Sequence, residues 1–184
     1  MKSNYILTCD PSFTEWGWAI VDVISNQIIE QGCIKTAPES KVKRIRKSDD
    51  RVRRISEINK ILLGLLKKYD IQLIVSEAPH GSQNAMAAVM IGCTLGILQT
   101  ISDCISIPIE YYSEQECKKQ VLNKKSATKT ETIAGISEQM KVTWTGIKYK
   151  DEAIADALAV YLTAKTKSNI FHFLTNDSRR GNQK

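Results

Sequence analysis

Twice in this chain a short apolar run stops abruptly on a carboxylate with a proline one or two residues on, and no other feature narrows the fold as much. Ser3 to Thr8 passes through Cys9 into Asp10-Pro11, and Leu73-Ile74-Val75-Ser76 ends at Glu77-Ala78-Pro79. Brief, unbroken, β-rich stretches suit strands covered on both faces, and the turn signals that follow end them. Taken alone, Asp10 reads as an Asx-turn or capping residue. Its repetition at Glu77 points elsewhere. Strand ends in a central sheet lie side by side, so the two carboxylates converge at a separation that only a cation makes tolerable. A hard cation such as Mg²⁺ is implied.

The remaining pattern supplies the scaffold. Trp16 to Val23 alternates, and Gln27 to Ile34 follows the turn at Ser25-Asn26, so the first third predicts a three-stranded antiparallel meander. From Asp49 onward Val52, Ile55, Ile58, Leu62 and Leu65 recur at helical spacing, with Ser48 or Asp50 available as N-cap. Asn84 to Ser102 predicts a second helix, Ile105 to Tyr112 a strand, and Ser113 to Leu122 a helix opened by a Ser113/Glu116 capping box. A lysine-rich link from Lys124 to Lys129 leads to a helix from Thr130 to Met140, and the last clear element is a helix from Asp151 to Lys165. The order βββαβαβααα is α/β with mixed strand directions.

At 184 residues the chain fits one domain. It is expected over 1–168, followed by a mobile, basic, polar tail over 169–184. The longest apolar stretch, Ala85 to Leu98, is too short to cross a bilayer and reads as a buried helix, so no membrane partner is expected. The N-terminus lacks the layout of a signal peptide, which makes the cytoplasm of a bacterial or phage-infected cell the expected location, ahead of an organelle. Five scattered cysteines without a CxxC pair support neither a zinc knuckle nor a disulfide framework.

A third acidic set, Asp151, Glu152 and Asp156, opens the final helix. Compensation of the helix dipole accounts for Asp151 and Glu152 but poorly for Asp156, whose neighbours Ile154, Ala157, Leu158 and Val160 are apolar. Glu152 shares a helical face with Asp156 at i, i+4. Four carboxylates around a hard metal suit phosphodiester hydrolysis, in which two ions activate a water, stabilise the leaving 3′-oxygen and neutralise the transition state. A net charge of +6 and a pI near 9.0 lean toward a polyanionic partner. Lys41, Lys43, Arg44, Arg46, Lys47, Arg51, Arg53 and Arg54 crowd one short stretch opposed only by Asp49 and Asp50. This segment is either a phosphate-contacting surface or a solvated loop and helix start.

In this order the residues resemble the RuvC-type Holliday-junction resolvases. The first-strand motif of that family, an aspartate and a proline followed by a glycine before an aromatic residue, reads here Asp10-Pro11-Ser12-Phe13-Thr14-Glu15-Trp16-Gly17-Trp18, with Ser12 replacing the usual glycine. Gly32-Cys33-Ile34-Lys35-Thr36, Glu77, Asn84-Ala85 with Gly92 and Gly96, Tyr112-Ser113, Lys118, Lys129 and Asp156-Ala157-Leu158-Ala159 match in turn. The likeness covers Tyr5 to Thr163. It departs at Ala153, where the family commonly has an acid or histidine, and at His80, where bacterial members carry an aromatic ring beside the junction centre.

The resemblance implies an RNase H-like fold, with a five-stranded mixed sheet of three antiparallel then two parallel strands flanked by helices. It implies a homodimer cutting two opposed strands of a four-way DNA junction, and two Mg²⁺ ions per site, with Mn²⁺ able to substitute. Asp10, Glu77, Asp156 and Glu152 are the implied metal ligands, with Asp151 as the fallback for Glu152. Lys118 and Lys129 are implied to hold phosphate or stabilise transition-state charge. Further DNA contacts are expected at Lys35, Arg44, Arg46, Lys47, Arg51, Asn84, Lys119, Lys124 and Lys125. His80 either stacks on a base or is a solvent-exposed loop residue. The helix from Asn84 to Ser102 either forms the dimer interface or is buried within the monomer. A flap or RNA–DNA hybrid nuclease of the same fold, and a non-catalytic junction-binding protein, are the alternatives in function. The sequence names no helper protein.

Overall fold

Period-two alternation along the strands decides which side chains meet which helices. In the structure, a computed structural model that describes residues 4–39, 45–78 and 80–181, β1 (Tyr5–Asp10), β2 (Glu15–Asp22), β3 (Gln27–Lys35), β4 (Ile71–Glu77) and β5 (Ile109–Tyr112) form one five-stranded sheet in the order β3-β2-β1-β4-β5. β1 pairs antiparallel with β2 and parallel with β4. β2 and β3 are antiparallel, and β4 and β5 parallel. The expected sheet is therefore present.

Ile6, Ala19, Val21, Leu73 and Val75 point to one face and join a core with α3 (Glu114–Leu122), α4 (Lys129–Gln139) and α5 (Lys148–Lys167). Leu7, Cys9, Trp16, Ile20 and Ile74 point to the other, against α1 (Lys47–Lys68) and α2 (Ala85–Ile105). Because side chains alternate across a strand, Asp10 shares the α5 face with Ile6 and Thr8, and Glu77 shares it with Leu73 and Val75. Both faces of the sheet are covered, which is why its central strands read as unbroken apolar runs.

Several boundaries differ from the sequence reading, each for a local reason. The strand expected from Ile105 begins at Ile109, because α2 runs on to Ile105 and closes through Ser106 in the left-handed region at φ 55°. The alternating isoleucines there belong to a helix end and a turn, and Ser102 Oγ donates to the Ile107 carbonyl at 2.6 Å. Helix α1 starts at Lys47 with Arg46 as N-cap, so neither Ser48 nor Asp50 caps it. Asp49 and Asp50 instead sit in its first turn, where the helix dipole favours acids.

The apolar stretch Ala85 to Leu98 lies in α2, which is not the expected buried helix: only Thr94, Ile97, Leu98, Ile101 and Ser102 are buried in it. Its 21 residues are long and apolar enough, by length and composition alone, to cross a membrane. Apolar composition there marks an uncovered surface rather than a core. The polar tail begins as α6 (Asn169–Gly181), because Ile170, Phe171 and Leu174 recur at helical spacing and pack on the α5 side of the core, Phe171 against Tyr161.

Candidate active site

Register brings the two strand-end acids together. In the parallel pair β1·β4, Cys9 lies opposite Ser76, so the next residues, Asp10 and Glu77, end adjacent strands on the same face. Neighbouring strands lie about 4.8 Å apart, a spacing at which two desolvated carboxylates repel strongly. Helix α5 lies over this end of the sheet and presents Asp156. It is fastened there by Thr8, whose buried hydroxyl donates to the Ala157 carbonyl. The approach is close because Gly17, opposite Asp10 on β2, has no side chain: a Cβ there would stand 1.9 Å from the Ala153 carbonyl oxygen.

Burial sets the electrostatics of this corner. Desolvation first, and the neighbouring Asp156 carboxylate second, hold Asp10 well above the usual aspartate range. Glu77 is pushed up to about 8 by burial and then by the charges of Asp10 and Asp156. Burial raises Asp156 as well, against the pull of Lys129. Three acids that resist ionisation because the chain holds them together are the donor chemistry of a hard-cation site. Among the described residues no three His, Cys, Asp or Glu side chains are already closed around an ion position. Instead Lys129 Nζ donates to Asp156 and supplies the opposing charge. Burial disfavours the Lys129 ammonium, but Asp156, Asp10 and Glu77 together outweigh it and hold Lys129 above the usual lysine range.

Helix ends aim the two expected lysines. Thr128 and Glu131 form a capping box that starts α4, which places Lys129 on its first turn. Ser113 and Glu116 do the same for α3, and Lys118 follows one turn later with its side chain only 18% exposed. Lys118 Nζ donates to Glu114, and its charge also reaches Asp156. Glu114 belongs to no sequence motif, yet its charge raises Asp10, Glu77 and Asp156 alike. Its only sequence signal was its position directly after the Ser113 cap.

The other expected site residues divide. Asp151 is not in the cluster: its two oxygens accept from the backbone N–H and hydroxyl of Thr145 and the N–H of Gly146, pinning the loop before α5. Glu152 lies 4.0 Å from Lys148 on its own helix and is not among the charges that chiefly shift Asp10, Glu77 or Asp156. Asn84 caps α2, accepting from the Met86 and Ala87 amides. His80 is exposed, its Nε2 3.3 Å from Glu114.

Of the basic stretch, Lys41, Lys43 and Arg44 lie outside the described residues. Arg54 is buried and donates to Phe13 O at 2.9 Å and Thr36 Oγ1 at 2.8 Å, while Arg53 pairs with Asp50 and Glu57. These two arginines brace the loops flanking β1 to β3 rather than face a ligand. Arg46 pairs with Asp49, Lys47 is exposed, and Arg51 reaches Met86 Sδ at 3.0 Å. Lys35 lies over the Tyr149 ring and pairs with Glu15. Lys119, Lys124 and Lys125 are exposed around the end of α3, with Lys124 paired to Glu131.

Comparison with known proteins agrees with this geometry. The family model described as crossover junction endodeoxyribonuclease RuvC matches residues 6–164. The chain is 25% identical over 158 residues to the crossover junction endodeoxyribonuclease RuvC of Ehrlichia ruminantium (strain Gardel), covering 83% of this chain and 93% of that protein. Its fold is similar to that of Thermus thermophilus RuvC in complex with a Holliday junction substrate, with a TM-score of 0.71 at 19% identity over 94% of this chain and 96% of that one. It is also similar to the yeast mitochondrial Holliday junction resolvase Ydc2, with a TM-score of 0.63 at 10% identity over 97% and 85% of the two chains.

Proposed function

Because the chain belongs to the RuvC family of crossover junction endodeoxyribonucleases, we propose that its acidic corner is the centre at which it resolves four-way DNA junctions by hydrolysing phosphodiester bonds. The observation that carries this reading is the convergence of Asp10, Glu77 and Asp156 on one sheet face with Lys129 among them. Asp10, Glu77 and Asp156 would hold Mg²⁺, two ions per site, with Mn²⁺ as substitute. Bound there, the ions supply Lewis-acid activation of water and charge neutralisation at the phosphate. Glu152, one helical turn before Asp156, is the fourth carboxylate of the set in preference to Asp151, whose oxygens the Thr145–Gly146 loop occupies.

The chain's own groups do the rest. Lys129, which pairs with Asp156, would hold a phosphate oxygen and stabilise transition-state charge, and Lys118 would reach the same phosphate from α3. His80 and Asn84 border the strand path, while Lys35, Arg46, Lys47, Arg51, Lys119, Lys124 and Lys125 contact the flanking backbone, so affinity falls steeply with salt. A second copy covers the exposed apolar side of α2, where Met86, Val89 and Leu95 are 50%, 50% and 41% exposed. The two-fold of that dimer matches the two-fold of the junction and sets two sites against opposed strands. The family match over residues 6–164 includes this helix, which supports its assignment to the nuclease domain.

Nicking of a synthetic four-way junction with Mg²⁺, mapped on all four strands, tests the reading. Symmetric cuts on two opposed strands are expected. Equal rates on matched junction, flap and hybrid substrates would overturn the junction preference.

A further inference from the structure

We propose that Glu114 is a positioning residue that holds Lys118 and His80 in one fixed geometry at the DNA-facing rim of the active site. The inference rests on the nuclease reading above and adds to it a residue that the sequence did not single out.

Glu114 is the first residue of α3 and stands on rigid ground. Ser113 Oγ accepts from the Glu116 amide at 3.3 Å and Glu116 Oε2 accepts from the Ser113 amide at 2.9 Å, which fixes the helix start reciprocally. The adjacent end of β4 is tied to this point too, since the Ala78 amide donates to the Tyr112 carbonyl at 2.7 Å. From there the two oxygens of Glu114 are used separately. Oε1 accepts from Lys118 Nζ, one turn further along α3. Oε2 lies 3.3 Å from Nε2 of His80, in the segment that follows β4. One carboxylate thus joins two groups from two elements, both on the side of the acid cluster, whose three members all feel its charge.

A lysine ammonium is a compact charge on a flexible stem, and its placement at a scissile phosphate costs rotamer freedom unless something holds it beforehand. Glu114 does so for Lys118, whose side chain is only 18% exposed while that of Glu114 is 39% exposed. In keeping with this pairing, Lys118 keeps the Glu114 carboxylate below the usual glutamate range. The competing role is that of a counter-ion which DNA must displace. The two roles predict effects of opposite sign, because a counter-ion repels phosphate and its removal speeds cleavage.

Single-turnover cleavage of a four-way junction with Mg²⁺, paired with junction binding in EDTA, separates them. For Glu114→Ala the saturating cleavage rate is expected to fall roughly 10- to 100-fold, as for a modest misplacement of an active-site group. The half-saturating junction concentration is expected to stay within about 3-fold, since the phosphate contacts that dominate affinity lie elsewhere. Glu114→Gln, whose amide oxygen still accepts from Lys118, restores most of the rate. Adding Glu114→Ala to Lys118→Ala costs little more than Lys118→Ala alone, because both variants remove one unit. Should the alanine variant fail to fold, Glu114→Asp, one methylene too short to hold both partners, replaces it with the same expected loss. Unchanged or faster cleavage, a glutamine variant as slow as alanine, or additive losses in the double variant would each overturn the proposal. Wild-type protein that binds junctions without cutting them defeats the nuclease reading itself, whereas wild-type cleavage with unchanged Glu114 variants defeats only this inference.

Discussion

At the scale of single residues, the acids at the strand ends trade stability for function. Glu77 binds its proton more tightly in the folded chain, at about 8, than at its ordinary value of 4.5. Between those values the folded state carries more protons than the unfolded one, so metal-free protein loses stability as pH rises from about 4.5 to about 8. Melting curves in EDTA across that window are expected to show the decline. Glu77→Gln should flatten it, and saturating Mg²⁺ should offset it at pH 8; a wild-type melting temperature that climbs toward pH 8 in EDTA would contradict the electrostatic assignment. Asp10→Asn removes a carboxylate that burial and Asp156 both oppose. The expected result is a metal-free protein a few degrees more stable, no longer stabilised by Mg²⁺, and slower at junction cleavage by roughly 10³-fold, the worth of several kcal/mol of lost metal chemistry. Retention of Mg²⁺-dependent cleavage would remove Asp10 from the site.

At the scale of elements, the distance between α5 and the sheet decides whether the acids meet. Gly17 permits that distance, and Thr8 fixes it through the Ala157 carbonyl. Gly17→Ala forces a Cβ into the Ala153 carbonyl and must push α5 outward, at a cost of about 3 kcal/mol or more. Urea denaturation should register that loss, and junction cleavage should fall further than the fraction unfolded accounts for, because Asp156 moves with its helix. Arg54 plays a comparable part on the other face, where its buried guanidinium joins α1 to Phe13 and Thr36. Arg54→Ala leaves the Phe13 carbonyl short of a donor and opens a cavity, and a loss of about 2 to 4 kcal/mol is expected by the same measurement. A neutral effect would mean that the loop after Asp10 needs no brace.

At the scale of the whole molecule, the proposed dimer rests on the uncovered side of α2. Val89 and Leu95 are exposed among apolar neighbours, and a groove lined by Leu63, Cys93, Gly96 and Thr100 runs between α2 and α1. Val89→Asp with Leu95→Glu places charges on that surface without touching the acid cluster. Light scattering is expected to shift from dimer to monomer. Paired cuts on opposed strands should give way to single nicks, since each monomer keeps one complete site. A dimer that survives both substitutions would place its interface elsewhere.

Strand periodicity and abrupt polarity changes are local signals, so the alternation of elements, the two acids at the ends of β1 and β4, and the apolar helix α2 are legible in the sequence. It also carried enough of the family's ordered motifs to single out Lys118, Lys129 and Asp156. Tertiary structure decided the rest. Asp151 and Glu152 are neighbouring acids at the start of one helix, and the loop at Thr145–Gly146 shows that Asp151 is taken. Arg54 looked like one more surface cation until burial turned it toward Phe13. Glu114 had no motif, and it matters only because the chain after β4 brings His80 alongside α3. Contacts between residues far apart in sequence depend on register and helix approach, and those are set by packing, which no local pattern encodes.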